Sequence, residues 1–280
     1  MILAGITLYN PNMTILEKNI EAIINQVDKL ICIDNGSNNI DVIASKIETL
    51  FSQVEIIRNS ENRGVAVALN QMFQYAKQND YQWVLTLDQD SVCPDNMIDI
   101  FKKYYHLPTV GCFCPVICDR NYENLETITK TISYVDKCIT SASFVSVDTW
   151  EKVGGFFEEL FIDFVDHDFC AKLIEHNLKI IRINEIVLEH EIGQGERHTF
   201  LGKRITALNH SAFRKYYMVR NWVYYMKAHP DVLSVRTERA KFVFLFLKTF
   251  FFEKEKIKKM QSMFKGLKDS KKFCKTYIKK

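Results

Sequence analysis

The chain has 280 residues, 47% of them apolar, 25% charged and 12% aromatic, with ten glycines and five prolines, which excludes disorder, a collagen-like fibre and a small disulfide scaffold. A chain of this length buries roughly 75% of the surface its unfolded form exposes, enough for one large domain with or without an appendage. The formal charge of +3 divides unevenly: from Lys241 onward thirteen lysines face three acids, a balance of +10, which leaves 24 basic and 31 acidic residues, or −7, for residues 1–240.

In chain order, Ile2 to Leu8 reads as a buried strand, Thr14 to Gln26 as a helix, and Lys29 to Ile33 as a second strand closed by the turn residues Asp34, Asn35, Gly36 and Ser37. Residues 41–51 read as helix, Val54 to Arg58 as strand, Val65 to Lys77 as helix and Trp83 to Leu87 as a fourth strand. Repeated βα units predict an α/β fold, a Rossmann-like, mostly parallel sheet flanked by helices on both faces. Ligands of such sheets sit beyond the carboxyl ends of the strands, where Tyr9 and Asn10, Asp34 and Asn35, Asn59 to Arg63, and Asp88 with Asp90 all fall. A helix after Pro94, short strands near Val110 to Ile117, Thr129 to Val135 and Ser143 to Val147, a helix from Asp166 to His176 and a strand from Lys179 to Ile183 complete a body of residues 1–230.

Eight cysteines accompany no basic stretch and apolar core at the N-terminus, which reads as reduced thiols in the cytoplasm. The spacing of Cys112, Cys114 and Cys118 is not a common zinc pattern and suits buried thiols on one face of a strand. The longest apolar stretch, Phe242 to Phe252, is too short to cross a bilayer as a helix. Residues 231–280 form a basic, helical tail in which Ile257, Met260, Phe264 and Leu267 share one helical face, ringed by Lys258, Lys259, Lys265 and Lys268. Such a helix reads as an anchor on the anionic inner face of the cell membrane. The plainer alternatives are packing on the body or a homodimer contact. An acidic body without a nucleic-acid motif argues against a nucleic-acid partner.

No G-x-G-x-x-G follows the first strand and no G-x-x-x-x-G-K-S/T occurs, so dinucleotide and P-loop readings lose their support. The remaining candidate is Leu87-Asp88-Gln89-Asp90. Two carboxylates one residue apart can hold a hard divalent cation and leave positions open for diphosphate oxygens, although a solvated turn explains the same residues.

Five segments in order, Ile6-Thr7-Leu8-Tyr9-Asn10-Pro11, Ile33 to Ser37, Asn62-Arg63-Gly64-Val65-Ala66 with Asn70, Leu87 to Asp90, and Gly154-Gly155-Phe156 with Phe161 to Asp168, carry a resemblance. Together they resemble the inverting, nucleotide-sugar-dependent glycosyltransferases of family 2, which have the GT-A fold. His190 with Gly193, and Arg214 to Tyr217 with Arg220-Asn221, are similar to bacterial rhamnosyltransferases of polysaccharide assembly.

The resemblance implies a donor site in which Thr7, Tyr9, Asn10, Asp34 and Asn35 meet base and ribose, with Asp88 near the ribose, Gln89 a further nucleotide-sugar contact, Arg63 suited to an anionic ligand and Arg220 to the diphosphate. Asp90, with Asp88 and His190, would hold Mg²⁺ or Mn²⁺. Asp166 matches the position of the base that deprotonates the acceptor. Val165 and Lys172 stand where the family more often has an acid and an arginine, so Asp163 and Asp168 remain rival bases. All three also suit a helix N-terminus without any chemistry. The donor implied is dTDP-rhamnose, or a UDP-hexose, and the acceptor a lipid-linked saccharide or growing surface glycan. The rival reading outside catalysis is a sugar-nucleotide-binding module.

Overall fold

The computed structural model describes residues 1–119, 130–190, 196–200 and 203–278. The apolar runs of the first 90 residues form β1 (Ile2–Leu8), α1 (Met13–Ile24), β2 (Lys29–Asp34), α2 (Ile40–Leu50), β3 (Glu55–Arg58), α3 (Val65–Gln78) and β4 (Trp83–Asp88). Asn12 caps α1, its side chain accepting from the amides of Thr14 and Ile15, which satisfies two N–H groups that a helix start leaves open. Next come α4 (Met97–Lys102), β5 (Val110–Asp119), β6 (Ile132–Val135), β7 (Ser143–Ser146) and α5 (Val147–Lys152). They are followed by α6 (Val165–Glu175), β8 (Lys179–His190), β9 (Glu196–Phe200), β10 (Lys203–Ala207) and the helices α7 (Ala212–Ala228), α8 (Val235–Phe252) and α9 (Lys256–Tyr277).

The chain divides into two compact units, Met1–Phe161 with Phe169–Glu191, and Ile162–Asp168 with Ile192–Lys280. In the first, eight strands make one sheet in the order β3-β2-β1-β4-β7-β5-β8-β6. β3, β2, β1 and β4 are parallel, whereas β7 runs against β4 and β5, and β6 against β8. The register pairs Arg58 with Asp34, Asp34 with Leu8, and Thr7 with Asp88, so four strand ends finish side by side. Strand order reverses at β1, which makes the β1–β4 boundary the place where a sheet of this kind opens a crevice.

Side chains alternate along β1. Ala4, Ile6 and Leu8 join one apolar cluster with Leu16 and Ile20 of α1, Ile43 of α2 and Phe101 of α4. Gly5 faces the other way, where an added Cβ would lie 2.5 Å from the Met72 sulfur of α3, so glycine is what lets that helix close on the sheet. Helices therefore cover both faces, as the βα alternation predicts.

The second unit holds the β9–β10 hairpin and α7 to α9. α9 buries Met263, Gly266, Ser270 and Cys274, and at Gly266 a Cβ would meet the Tyr216 carbonyl oxygen of α7 at 2.4 Å. The face docked on α7 is thus not the Ile257, Met260, Phe264 and Leu267 face; Met260 packs on Val219, Leu245 and Met263 and the Phe264 ring meets Phe246 of α8, while Ile257, Phe264 and Leu267 stay exposed. Lys259, expected on the solvated rim, is instead buried with Lys215 around Glu253. Their ammonium groups lie 3.1 and 2.5 Å from its two carboxylate oxygens, and Lys215 also donates to Thr249 at 2.9 Å. Burial pushes Glu253 up, but the two lysines outweigh it and hold its carboxyl below the ordinary range. No helix among the described residues is long and apolar enough to cross a membrane.

Candidate active site

At the carboxyl end of β4 in the first unit, Gln89 reaches across to β1. Its Oε1 accepts from the Tyr9 amide at 2.8 Å and its Nε2 donates to the Tyr9 carbonyl at 3.4 Å, which continues the β1–β4 ladder one rung beyond the strands. Gln89, read from the sequence as a donor-binding residue, is therefore a clamp between strands, flanked by the carboxylates of Asp88 and Asp90. The turn is held from behind by two residues the sequence reading missed. Asn19 of α1, fully buried, donates to the Asp88 carbonyl at 2.8 Å, and the Ser141 hydroxyl accepts from the Asp88 amide at 3.4 Å and bonds Ser91 Oγ at 2.7 Å. A buried asparagine among Leu16, Ile20 and Ile23 was the available signal for Asn19. The Thr7 hydroxyl, at the neighbouring β1 end, is buried without a hydrogen-bond partner, the kind of orphan a ligand would satisfy.

Asp34 is only 1% exposed, and its carboxylate accepts from the Gly36 amide at 3.1 Å and from the Ser37 amide at 3.1 and 3.3 Å. It caps its own turn, the plainer of the two sequence readings. Ser37 in turn accepts from the Asn10 amide, and Asn10 Oδ1 from the Asn38 amide, which fixes the loop after β1. Asn35 serves the next loop: it donates to Asn62 at 3.1 Å and accepts from the Arg63 amide at 3.0 Å. At the start of α3 the Gly64 amide donates to Asn62 Oδ1 at 2.9 Å and the Val65 amide to the Phe161 carbonyl at 2.7 Å. These two N–H groups are committed within the chain. An anion at this end would meet the exposed Arg63 side chain instead.

Asp88 and Asp90 present hard oxygen donors, the type that suits Mg²⁺ or Mn²⁺. Among the described residues no group of three or more His, Cys, Asp and Glu side chains could hold a metal ion. The fit is therefore to a cation gripped by one or two carboxylates and completed by water and diphosphate, as magnesium sites commonly are. The backbone of His190 pairs with Asp119 in the sheet, and its side chain, like Gly193, lies outside the described residues.

In the second unit, the segment before α6 is strained: Asp163 and Phe164 have φ of 62° and 68°. A left-handed backbone at a bulky residue costs about 1–3 kcal/mol, and α7 supplies the compensation. Asn221, fully buried, donates both amide hydrogens to the carbonyls of Ile162 and Asp163, at 2.8 and 2.9 Å. Arg214 grips the Asp163 carboxylate with two nitrogens, at 2.7 and 3.3 Å. The Phe164 ring packs against Trp222 and Tyr225 of the same helix.

This separates the three acids. The Asp168 side chain is 0% exposed and lies 2.9 Å from His229 Nε2, and that of Asp163 is 12% exposed in its arginine fork. Asp166 is 22% exposed, and one of its oxygens accepts from the His167 amide and sits 2.8 Å from His167 Nδ1. Burial pushes the Asp166 carboxyl up, but the charge and hydrogen bonds of His167 prevail and hold it below the usual carboxylate range. Burial wins at Asp163, which is raised in spite of Arg214. Arg220, read as a diphosphate clamp, has its guanidinium 4.2 Å from the Phe273 ring centre and 4.6 Å from that of Tyr217, and donates to Asn221 at 2.9 Å. Aromatic faces occupy it within the unit.

Asn221→Ala removes both donors from the strained segment. An expected loss of about 1–3 kcal/mol in urea unfolding should accompany a fall in kcat of up to about 10²-fold through misplacement of the Asp166 segment, with the donor KM little changed. Equal loss in KM and none in kcat would contradict that positioning role.

The β1–β4 switch point with the Asp-x-Asp turn beside it is an arrangement suited to a transferase of nucleotide-linked groups. The family described as Glycosyl transferase family 2 matches residues 4–173, and the chain belongs to it, a glycosyltransferase by class. It is 28% identical over 260 residues to the dTDP-rhamnosyl transferase RfbF of Shigella flexneri, covering 84% of this chain and 83% of that protein. Among solved structures, GalNAc-T7 with UDP, GalNAc and Mn²⁺ is similar at a TM-score of 0.64 and 13% identity; the match covers 99% of this chain and 58% of that one. The mannosyltransferase PcManGT of Pyrobaculum calidifontis, with GDP-Man and Mn²⁺, gives 0.61 and 14%, covering 98% and 83%. S. aureus TarS 1-349 gives 0.60 and 13%, covering 96% and 80%. These likenesses establish the GT-A fold.

Proposed function

We propose that the protein is a metal-dependent inverting glycosyltransferase that moves L-rhamnose from dTDP-rhamnose onto a lipid-linked or growing surface polysaccharide. The observation that carries the donor is the relation to a dTDP-rhamnosyl transferase along 84% of the chain. The Asp88-Gln89-Asp90 turn, braced against Tyr9, supports the nucleotide-sugar chemistry.

Thr7, Tyr9, Asn10 and Asn35 form the base and ribose end, and Asp34 acts there by holding its turn. Arg63 faces the diphosphate, and Arg220 serves by stiffening α7. Asp90 and Asp88, with His190 as the further candidate, would hold Mg²⁺ or Mn²⁺, which when bound supplies Lewis-acid neutralisation of charge on the departing diphosphate. Asp166, ionised at neutral pH, accepts the acceptor hydroxyl's proton as that oxygen attacks the anomeric carbon from the face opposite the leaving group, so configuration inverts. Asp163 and Asp168 stay with Arg214 and His229.

A thermal-shift panel tests the donor. A ligand bound by the native state alone adds about 2.7 kcal/mol of apparent stability at a hundred times its Kd. dTDP-rhamnose with Mn²⁺ is expected to raise Tm more than either component alone. A shift confined to UDP-hexoses would replace the donor proposed here.

The tail, residues 231–280, is proposed to rest on an anionic membrane on the cytoplasmic side. Val243, Phe244, Leu247, Phe250 and Phe251 follow helical spacing on α8 and are all exposed, as are Ile257, Phe264 and Leu267 on α9. Their setting in a lysine-rich segment, the buried Lys259 apart, favours an acidic lipid surface over a second protein copy. Full-length protein should sediment with phosphatidylglycerol vesicles and not with phosphatidylcholine, and Phe244→Glu with Phe251→Glu should abolish this. A concentration-dependent dimer disrupted by the same changes, without vesicle binding, would assign the face to a homodimer.

A further inference from the structure

Four cysteines meet inside the first unit. Cys112 and Cys114 are buried two residues apart on β5, Cys170 is buried on α6, and Cys138 lies half-buried in the link between β6 and β7. Cys138 is the centre. Its Sγ is 3.7 Å from the sulfurs of both Cys112 and Cys170, its amide donates to Cys170 Sγ at 3.4 Å, and its thiol is also engaged by Cys114. The sulfurs of Cys112 and Cys138 are in van der Waals contact, and a side-chain shift of under two ångströms brings them to the bond length of about 2.05 Å.

The set is chemically unlike the other buried thiols. Burial pushes Cys32 and Cys93 up to about 12, which makes them inert. Cys112 is held below its ordinary value by hydrogen bonding to Cys138, against burial, with help from the Ser143 hydroxyl 3.4 Å away. Cys138 is raised by its three sulfur neighbours. Contact between the sulfurs thus couples the protons of Cys112 and Cys138.

We propose that this cluster is a peroxide-responsive modification site in which Cys112 and Cys138 form a reversible disulfide. The thiolate of one member of the pair attacks one oxygen of a hydroperoxide, the O–O bond breaks, and the departing oxygen leaves as water (or alcohol) with the proton that thiol had given up. The partner sulfur then attacks the resulting sulfenic acid; the S–O bond breaks and the oxygen departs as water with the partner thiol's proton. Two thiols are oxidised, losing two electrons in total, and the peroxide is reduced.

The link that carries Cys138 also braces the Asp-x-Asp turn. Thr86 donates to the Thr140 carbonyl at 2.5 Å, the Ala142 amide donates to the Thr86 carbonyl at 2.7 Å, and Ser141 accepts from the Asp88 amide. Drawing Cys138 onto β5 disturbs that support, so the oxidised protein binds its donor more weakly. This consequence rests on the donor reading above, whereas the disulfide does not.

The test is peptide mapping of full-length protein under non-reducing conditions after hydrogen peroxide treatment and alkylation. A Cys112–Cys138 link, reversed by dithiothreitol and absent from both Cys138→Ser and Cys138→Ala, is the expected result. Eight alkylated thiols after treatment would overturn it, as would a Cys138 link to Cys114 or Cys170, or an undiminished disulfide yield in the variants. The thermal shift with dTDP-rhamnose and Mn²⁺ should shrink at least twofold on oxidation of the natural sequence and not in Cys138→Ser; an unchanged shift would overturn the coupling. A shift absent even from reduced protein, with the link still formed, would count against the donor alone.

Discussion

Asp166→Asn is expected to lower kcat by about 10²–10⁴-fold while leaving the donor Kd within about twofold. The asparagine keeps the shape at the head of α6 and removes the one capacity a base needs. Of the three acids near this helix start, Asp163 is locked in the Arg214 fork and Asp168 is sealed against His229, which leaves Asp166 the most exposed. The pH profile makes the same distinction. Because the Asp166 carboxyl is held below the ordinary range, it stays ionised as pH falls from neutrality, and the acid limb of kcat it causes lies below the usual carboxylate value of about 3.9. A base at Asp163, raised by burial, would put that limb above the usual value. Steady-state kinetics on Asp166→Asn, Asp163→Asn and Asp168→Asn, with stopped-time assays carried below the usual carboxylate value of about 3.9, separate the three. A larger loss in Asp163→Asn or Asp168→Asn would move the role.

The second large effect belongs to the Asp-x-Asp turn. Asp90→Asn is expected to cost several kcal/mol of transition-state stabilisation, on the order of 10²–10³-fold in kcat/KM, and to raise the Mn²⁺ concentration needed for half-maximal rate. Gln89→Ala should behave differently. Its side chain braces Tyr9, so its loss should lower stability by about 1 kcal/mol without a comparable change in metal dependence. A metal response equal in the two variants would show that Gln89 does more than hold the strands together.

The parallel half of the sheet was legible because each of its strands is an apolar run closed by turn residues, and β1, β2 and β4 begin where those runs begin. The antiparallel insertion of β7 between β4 and β5 was not legible, since residues 143–146 carry no mark of the strand beside which they lie. In the tail the exposed stripe was legible and the docking face was not. Ile257, Phe264 and Leu267 are the apolar stripe, but α9 docks through Gly266 and Ser270, small residues that let two helix backbones approach. At the site, motif resemblance located Asp34, Gln89 and Arg220 without revealing their partners. Asp34 caps its own turn, Gln89 reaches β1, and the Arg220 cage includes Phe273, 53 residues downstream. Asn221 was quoted beside Arg220, yet its grip on the carbonyls of Ile162 and Asp163 depends on a backbone strain that no sequence pattern displays.

Release of dTDP from dTDP-rhamnose by purified full-length protein, followed with and without Mn²⁺ and an acceptor glycan, is the most direct measurement. Metal-dependent release, accelerated by acceptor, accompanied by inverted configuration in the product and lost in Asp166→Asn, is the predicted result. Release from UDP-hexoses with none from dTDP-rhamnose, or turnover unaffected by chelation of the metal, would contradict it.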